Sequence, residues 1–132
     1  MNKQELEEGK LLNLQFDKRD GLLPVIVQDS ESKEILMLGY TNKEAFDKTI
    51  SSGKATFWST SRKQLWTKGE TSGDFLKVNK TFVDCDQDAL IYQVSMQGSG
   101  TCHTKKADGN ARKSCFYRKY NPTKNLLDII DP

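Results

Sequence analysis

A chain of 132 residues has the length for one hydrophobic core and not two. Apolar residues make up 36% and charged residues 29%, with 20 basic against 18 acidic side chains, a balance that excludes an intrinsically disordered chain. The net charge of +2 is too small for a nucleic-acid-binding face, no run reaches the roughly 18 apolar residues of a membrane helix, and the acidic start MNKQELEEGK is not a secretory signal.

In chain order, residues 1–20 read as an N-terminal arm, either a short helix or an extended segment, with Leu6, Leu11, Leu12, Leu14 and Phe16 spread among charges. Leu22 to Val27 reads as a strand, with Pro24 placing it at an edge or a strand start. Asp29 to Glu34 is a turn, and Ile35 to Tyr40 returns as the second strand of a hairpin. Thr41 and Glu44 form a capping box, so a helix is expected over 42–52, its apolar side made by Ala45, Phe46, Thr49 and Ile50 and its end marked by Gly53. Ala55 to Ser59 is a strand. Ser61 to Gly73 is too polar and too rich in Gly, Ser and Thr for a regular element. Phe75 to Val83 and Ala89 to Met96 are strands, and in the latter Leu90, Tyr92, Val94 and Met96 share one face by period two. Thr101 to Arg118 is a polar loop. The tail, 119–132, carries Leu126, Leu127, Ile129 and Ile130 as a short docking segment.

Three groups of residues carry chemistry. In Asp84-Cys85-Asp86-Gln87-Asp88, an extended backbone would put the three aspartates on one face and Cys85 on the other. Carboxylates so close repel unless a hard cation such as Mg²⁺ joins them; for three aspartates alone a solvated acidic turn is the preferred reading, and the embedded Cys85 weakens that preference. Cys85, Cys102 and Cys115 are an odd number of thiols, which argues against a disulfide framework and for thiolate chemistry in a reducing, cytoplasmic setting. They suit zinc: with His103 as a fourth ligand the site would be closed and structural, and with water it would be open and catalytic. The adjacency of His103 to Cys102 and the lack of paired C-x₂-C knuckles favour the open form, while unrelated buried thiols remain an equal alternative on spacing alone. Ser59, Arg62 and the run Trp66 to Gly73 offer hydroxyls, Lys68 and turn-forming glycines suited to a phosphate nest, or simply a polar loop.

The runs LWTKGETSG (65–73), DCDQDAL (84–90), CHT (102–104) and SCFYR (114–118), preceded by GLLPVIVQD, LMLGYTNKEAF and FWSTSR, closely resemble the phosphoribosyl-AMP cyclohydrolases of histidine biosynthesis. The resemblance covers roughly residues 20 to 118. It implies a mainly β protein with short helices, α+β in tendency, forming an intertwined homodimer with active sites at the interface. It implies zinc held by Cys85 of one subunit and by Cys102 and Cys115 of the other. Asp84, Asp86 and Asp88 correspond to magnesium ligands, and His103 to a proton-transfer group. Ser59, Arg62, Trp66, Lys68, Gly69, Glu70, Thr71 and Ser72 fall to substrate binding. The implied reaction is hydrolysis of the N1–C6 bond in the purine ring of 1-(5-phosphoribosyl)-AMP. Zinc makes water a usable nucleophile near neutral pH, as in zinc deaminases acting on adenine C6.

Two departures from the family stand out. The link between CHT and SCF contains Lys105 to Lys113, which looks inserted, and its Asp-Gly-Asn centre predicts an outward loop that leaves both thiols in place. A fused pyrophosphohydrolase domain, common in relatives, is not expected, and residues 1–132 read as a single domain. The competing expectations are another zinc hydrolase acting on a purine nucleotide, whose H-x-E and P-C-x-x-C deaminase pattern is absent, and a zinc-stabilised binding module.

Overall fold

The computed structural model describes residues 1–132. Its helices are α1 (Lys3–Glu8) and α2 (Lys43–Ser52), and its strands are β1 (Leu23–Asp29), β2 (Ile35–Thr41), β3 (Thr56–Ser59), β4 (Gln64–Thr67), β5 (Leu76–Val83), β6 (Leu90–Met96), β7 (Arg118–Asn121) and β8 (Leu126–Ile129). The architecture is mainly β with two helices, α+β in character. No helix is long and apolar enough to cross a membrane.

The centre is a four-stranded sheet in the order β2-β1-β6-β5. β1 pairs antiparallel with β2 and parallel with β6, and β5 pairs antiparallel with β6. Alternation decides the faces. Leu23, Val25 and Val27 of β1 and Leu90, Tyr92 and Val94 of β6 are all buried on one side. α2 and the β3–β4 hairpin cover that side, and Phe57 of β3 packs between Trp66 (ring centroids 5.8 Å apart) and Tyr92 (6.3 Å).

Several expectations need correction. The cap of α2 is Asn42, whose Oδ1 accepts the Ala45 N–H at 2.8 Å, and not the Thr41–Glu44 box. Thr41 is instead the last residue of β2, fully buried, its hydroxyl donating to the Asn42 carbonyl at 2.9 Å. Ala45, Phe46 and Thr49 form the buried side of α2, but Ile50 is exposed. The stretch expected to lack regular structure contains β4, because Trp66 sits opposite Phe57 and gains the core by pairing there. The C-terminal segment does not dock on the sheet: it folds back as the β7–β8 hairpin, with Leu126, Leu127, Ile129 and Ile130 exposed. The arm combines both expected forms, α1 first and then an extended run ending in a 3₁₀ turn at Phe16–Arg19.

The β1–β2 turn is closed by Asp29, which accepts from the Ser32 hydroxyl at 2.7 Å and lies 3.4 Å from the Lys113 ammonium. Those donors, Ser32 foremost, hold its carboxyl below the ordinary range. A depressed native value stabilises the fold above the unfolded pKa of about 4, and that contribution is lost as the pH falls below it. Asp29→Asn should therefore cost about 1 kcal/mol in urea unfolding at pH 7 and much less near pH 3.

Candidate functional site

The carboxylate group forms by a different geometry from the one expected. Asp84 to Asp88 is not extended but a tight turn, with Gln87 in the left-handed region at φ 57°. The Asp84 carboxylate folds inward and accepts the N–H groups of Asp88 (2.9 Å) and Ala89 (3.1 Å). Turning in this way still gathers Asp84, Asp86 and Asp88, with one ligand oxygen from each within 4.8 Å of the others. Lys18 lies 2.8 Å from Asp88 and 3.1 Å from Asp86, and Arg19 lies 3.0 Å from Asp88. The Lys18 ammonium, chiefly, holds the buried Asp88 carboxyl well below the usual carboxylate range. Burial, chiefly, pushes Asp84 up.

The thiol group is built by backbone bonds across the base of the Lys105–Lys113 loop. Thr101 and Cys102 donate their N–H groups to the Arg112 carbonyl at 3.1 and 3.0 Å, which brings the two ends of the loop together. Gly100 makes this possible, since a Cβ there would meet the Ala111 and Arg112 carbonyl oxygens at 2.4 Å. Beyond the loop, the Cys115 N–H donates to the Leu36 carbonyl of β2 at 2.7 Å and the Ser114 hydroxyl to the Ile35 carbonyl at 2.7 Å. Cys102 and Cys115 are thereby neighbours whose thiols interact. Burial pushes Cys102 up, but the Thr104 hydroxyl, 2.9 Å from its sulfur, leads the groups that turn the net shift downward. Desolvation and then the Cys102 charge push Cys115 up to about 11, against the pull of the Lys68 charge. The loop turns outward as expected, with Asp108, Gly109 and Asn110 exposed. His103 is exposed beside the pair.

Cys85 does not join this pair within the chain. It is exposed in the carboxylate turn, and the aspartate trio is the only group of three or more metal-ligating side chains drawn together. The soft donors suit zinc and the hard ones magnesium, so the residues present fit both ions by donor chemistry.

In the glycine-bearing segment, Lys68 is only 8% exposed and forms no ion pair. It is the only buried lysine or arginine. Gly69, at φ 92°, has the Asp74 and Phe75 backbone within 2.4 Å of where a Cβ would lie, so the turn after Lys68 closes only with glycine. Glu70, Thr71 and Ser72 are exposed on that turn, Ser59 is half-buried and accepts the Arg62 N–H, and Arg62 is exposed 6.0 Å from the Trp66 ring. The sequence reading missed Lys18, Arg19, Gln87, Thr104 and Ser114. The adjacent basic pair and the one amide among the aspartates were visible signals, but only the fold brings them together.

The family model described as phosphoribosyl-AMP cyclohydrolase matches residues 37–117. A phosphoribosyl-AMP cyclohydrolase of Solibacter usitatus is 49% identical over 108 residues, covering 82% of this chain and 81% of that one. The Archaeoglobus fulgidus protein of the same name is 52% identical over 108 residues, covering 82% and 93%. The histidine biosynthesis bifunctional protein HisIE of Bacteroides thetaiotaomicron is 52% identical over 93 residues, 70% of this chain and 45% of that longer one. These relatives are enzymes by name, and the name of the Bacteroides thetaiotaomicron protein places it in histidine biosynthesis. The chain belongs to the phosphoribosyl-AMP cyclohydrolase family.

Gly100→Ala should lower stability by about 1–3 kcal/mol in chemical denaturation, because the added methyl group forces the loop base apart.

Proposed function

We propose that this chain hydrolyses the N1–C6 bond of the purine ring of 1-(5-phosphoribosyl)-AMP, using zinc at Cys85, Cys102 and Cys115 and magnesium at Asp84, Asp86 and Asp88. Family membership supports the reading. The observation that carries it is the Cys102–Cys115 thiol pair, fixed by backbone bonds near Lys68, a buried cation without an acidic partner. A buried charge is costly unless compensated, and thiolates or an anionic substrate would supply the compensation.

The third thiol comes, in this proposal, from a second copy of the chain. Cys115 is bonded to β2, whereas Cys85 lies in the turn between β5 and β6. β2 is two strand spacings from β6, on the order of 10 Å, while thiolates sharing a zinc each lie about 2.3 Å from it. The uncovered face of the sheet offers the contact. Leu38 (47% exposed) sits opposite Ile26, Ile26 beside Ile91, and Ile91 opposite Phe82 (46% exposed), an apolar row across all four strands. A depression of about 300 Å³ on this face, lined by Ile26, Phe82, Ala89 and Ile91, reaches Asp84. A homodimer closed over that row would bring the partner's thiol pair towards Cys85.

When bound, zinc supplies the Lewis acidity that lets water attack at neutral pH. The water oxygen bonds to C6, the C6–N1 bond breaks, and N1 leaves with a proton. His103 moves that proton: its ring is exposed beside Cys102 and makes no hydrogen bond within the chain. Lys68 balances the negative charge around the thiols. Ser59, Arg62, Glu70, Thr71 and Ser72 present polar groups to the ribose and phosphates, and Lys68 and Gly69 shape the turn that carries them. Trp66 is held against the core by Phe57 and forms the wall of that segment.

An absorbance assay on phosphoribosyl-AMP, with chelator and zinc re-addition, tests the reading: activity lost and restored with zinc supports it, and retained metal without turnover indicates a binding module. Cys85→Ser and Cys102→Ser should each lose zinc and activity together. Mixed under subunit exchange, the two variants should regain activity, because one site of the heterodimer has every ligand. His103→Ala should lower kcat by about 10²–10⁴-fold with zinc stoichiometry unchanged.

A further inference from the structure

The carboxylate turn already holds cations of the chain itself. Lys18 bridges Asp86 and Asp88 at 3.1 and 2.8 Å, and Arg19 takes the same Asp88 oxygen at 3.0 Å. Both belong to the 3₁₀ turn that ends the N-terminal arm. The arm is fastened to the same five residues by Gln87, which stands between two of the aspartates and is buried. Its Oε1 accepts the Asn13 N–H at 2.7 Å, its Nε2 donates to the Leu6 and Leu11 carbonyls at 3.0 and 3.1 Å, and its own carbonyl accepts the Gln15 N–H at 2.8 Å. Arm and carboxylate turn are therefore one assembly, tied by neutral hydrogen bonds at Gln87 and by ion pairs at Lys18 and Arg19.

A divalent ion ligated by these aspartates needs oxygens at about 2.1 Å for magnesium. The Lys18 ammonium contacts two of the three carboxylates such an ion would use, and two cations within a few ångströms repel. Lys18 is 50% exposed on a flexible stem, so it can swing into water. Asp88, by contrast, is fixed by its backbone bond to Asp84 and is almost fully buried. The mobile partner is the lysine.

We propose that Lys18 is the resident cation of this site, that a divalent ion enters only by exchange with it, and that metal occupancy is thereby coupled to docking of the 3₁₀ turn at Phe16–Arg19. The inference rests on the reading of Asp84, Asp86 and Asp88 as a magnesium site. Lys18 then sets the affinity of the site: removing its charge leaves carboxylates with one fewer counter-ion and a stronger pull on metal. Gln87 keeps the rest of the arm in place while the exchange occurs.

The test is calorimetric titration of the full chain with magnesium chloride, beside hydrogen exchange of residues 16–20. Lys18→Met should bind magnesium more tightly than the unaltered chain, on the order of 10-fold. Lys18→Arg, which keeps the charge, should stay close to the unaltered affinity. Magnesium should speed exchange in residues 16–20 of the unaltered chain and leave Lys18→Met unchanged. Equal magnesium affinity in the unaltered chain and Lys18→Met, with exchange insensitive to magnesium, overturns the exchange while leaving the magnesium site standing. No magnesium binding to either chain, or undiminished binding by Asp86→Asn, removes the magnesium site and the inference with it.

Discussion

The parallel pairing of β1 with β6 is the constraint on which the other parts of the molecule depend. It joins strands more than sixty residues apart in register, Val25 beside Leu90 through to Asp29 beside Val94. Everything between them, β2, α2, the β3–β4 hairpin and β5, must fold back within that frame. The pairing also fixes where the chemistry emerges. β6 begins immediately after the aspartate turn and ends just before the loop that carries Cys102, so the carboxylates with Cys85 and the Cys102–Cys115 pair are sent to opposite ends of one strand. β2, paired to β1 on the other side, then receives Ser114 and Cys115 along its exposed backbone. Edge carbonyls that would otherwise face water thus serve as the anchor for a thiol.

Separation of the donor types has an electrostatic side. Three carboxylates on one tight turn repel one another if left uncompensated, and two adjacent thiols resist ionising together. The chain answers them differently. At the turn, Lys18 and Arg19 supply mobile positive charge from the arm. At the thiols, the donors are short and fixed: the Thr104 hydroxyl and N–H on Cys102, with the charges of Arg112 and Lys68 nearby. One end is built for replacement of its counter-ion and the other for permanence.

What was legible in the sequence was the part governed by short-range periodicity. The burial of Leu90, Tyr92 and Val94, the strand pair at Leu23 and Ile35, the helix after residue 42 and its stop at Gly53 all follow from local pattern. The misreadings occurred where a tertiary partner overrode composition. β4 looks too polar to be a strand, yet Trp66 opposite Phe57 repays the pairing. Thr41 and Asn42 are both good caps, and the pairing of Thr41 with Leu23 in the sheet leaves the capping to Asn42. The aspartates were grouped correctly by spacing, but through a turn whose φ 57° at Gln87 no periodicity reveals. Lys18 was illegible for a simpler reason: its partners lie 68 and 70 residues away, and only the β1–β6 frame brings them together.

The loop from Lys105 to Lys113 closes on itself at its foot, where Thr101 and Cys102 bond to Arg112, and its tip at Asp108 to Asn110 meets only solvent. Its length is therefore uncoupled from the spacing of the two thiols. Descendants of this chain can gain or lose residues at the tip without selection acting through the two thiols, so this is where lineages are free to diverge in size. The same property makes the tip a graft point, where a peptide tag or a fluorophore-binding sequence can be carried without re-engineering the strands beneath it.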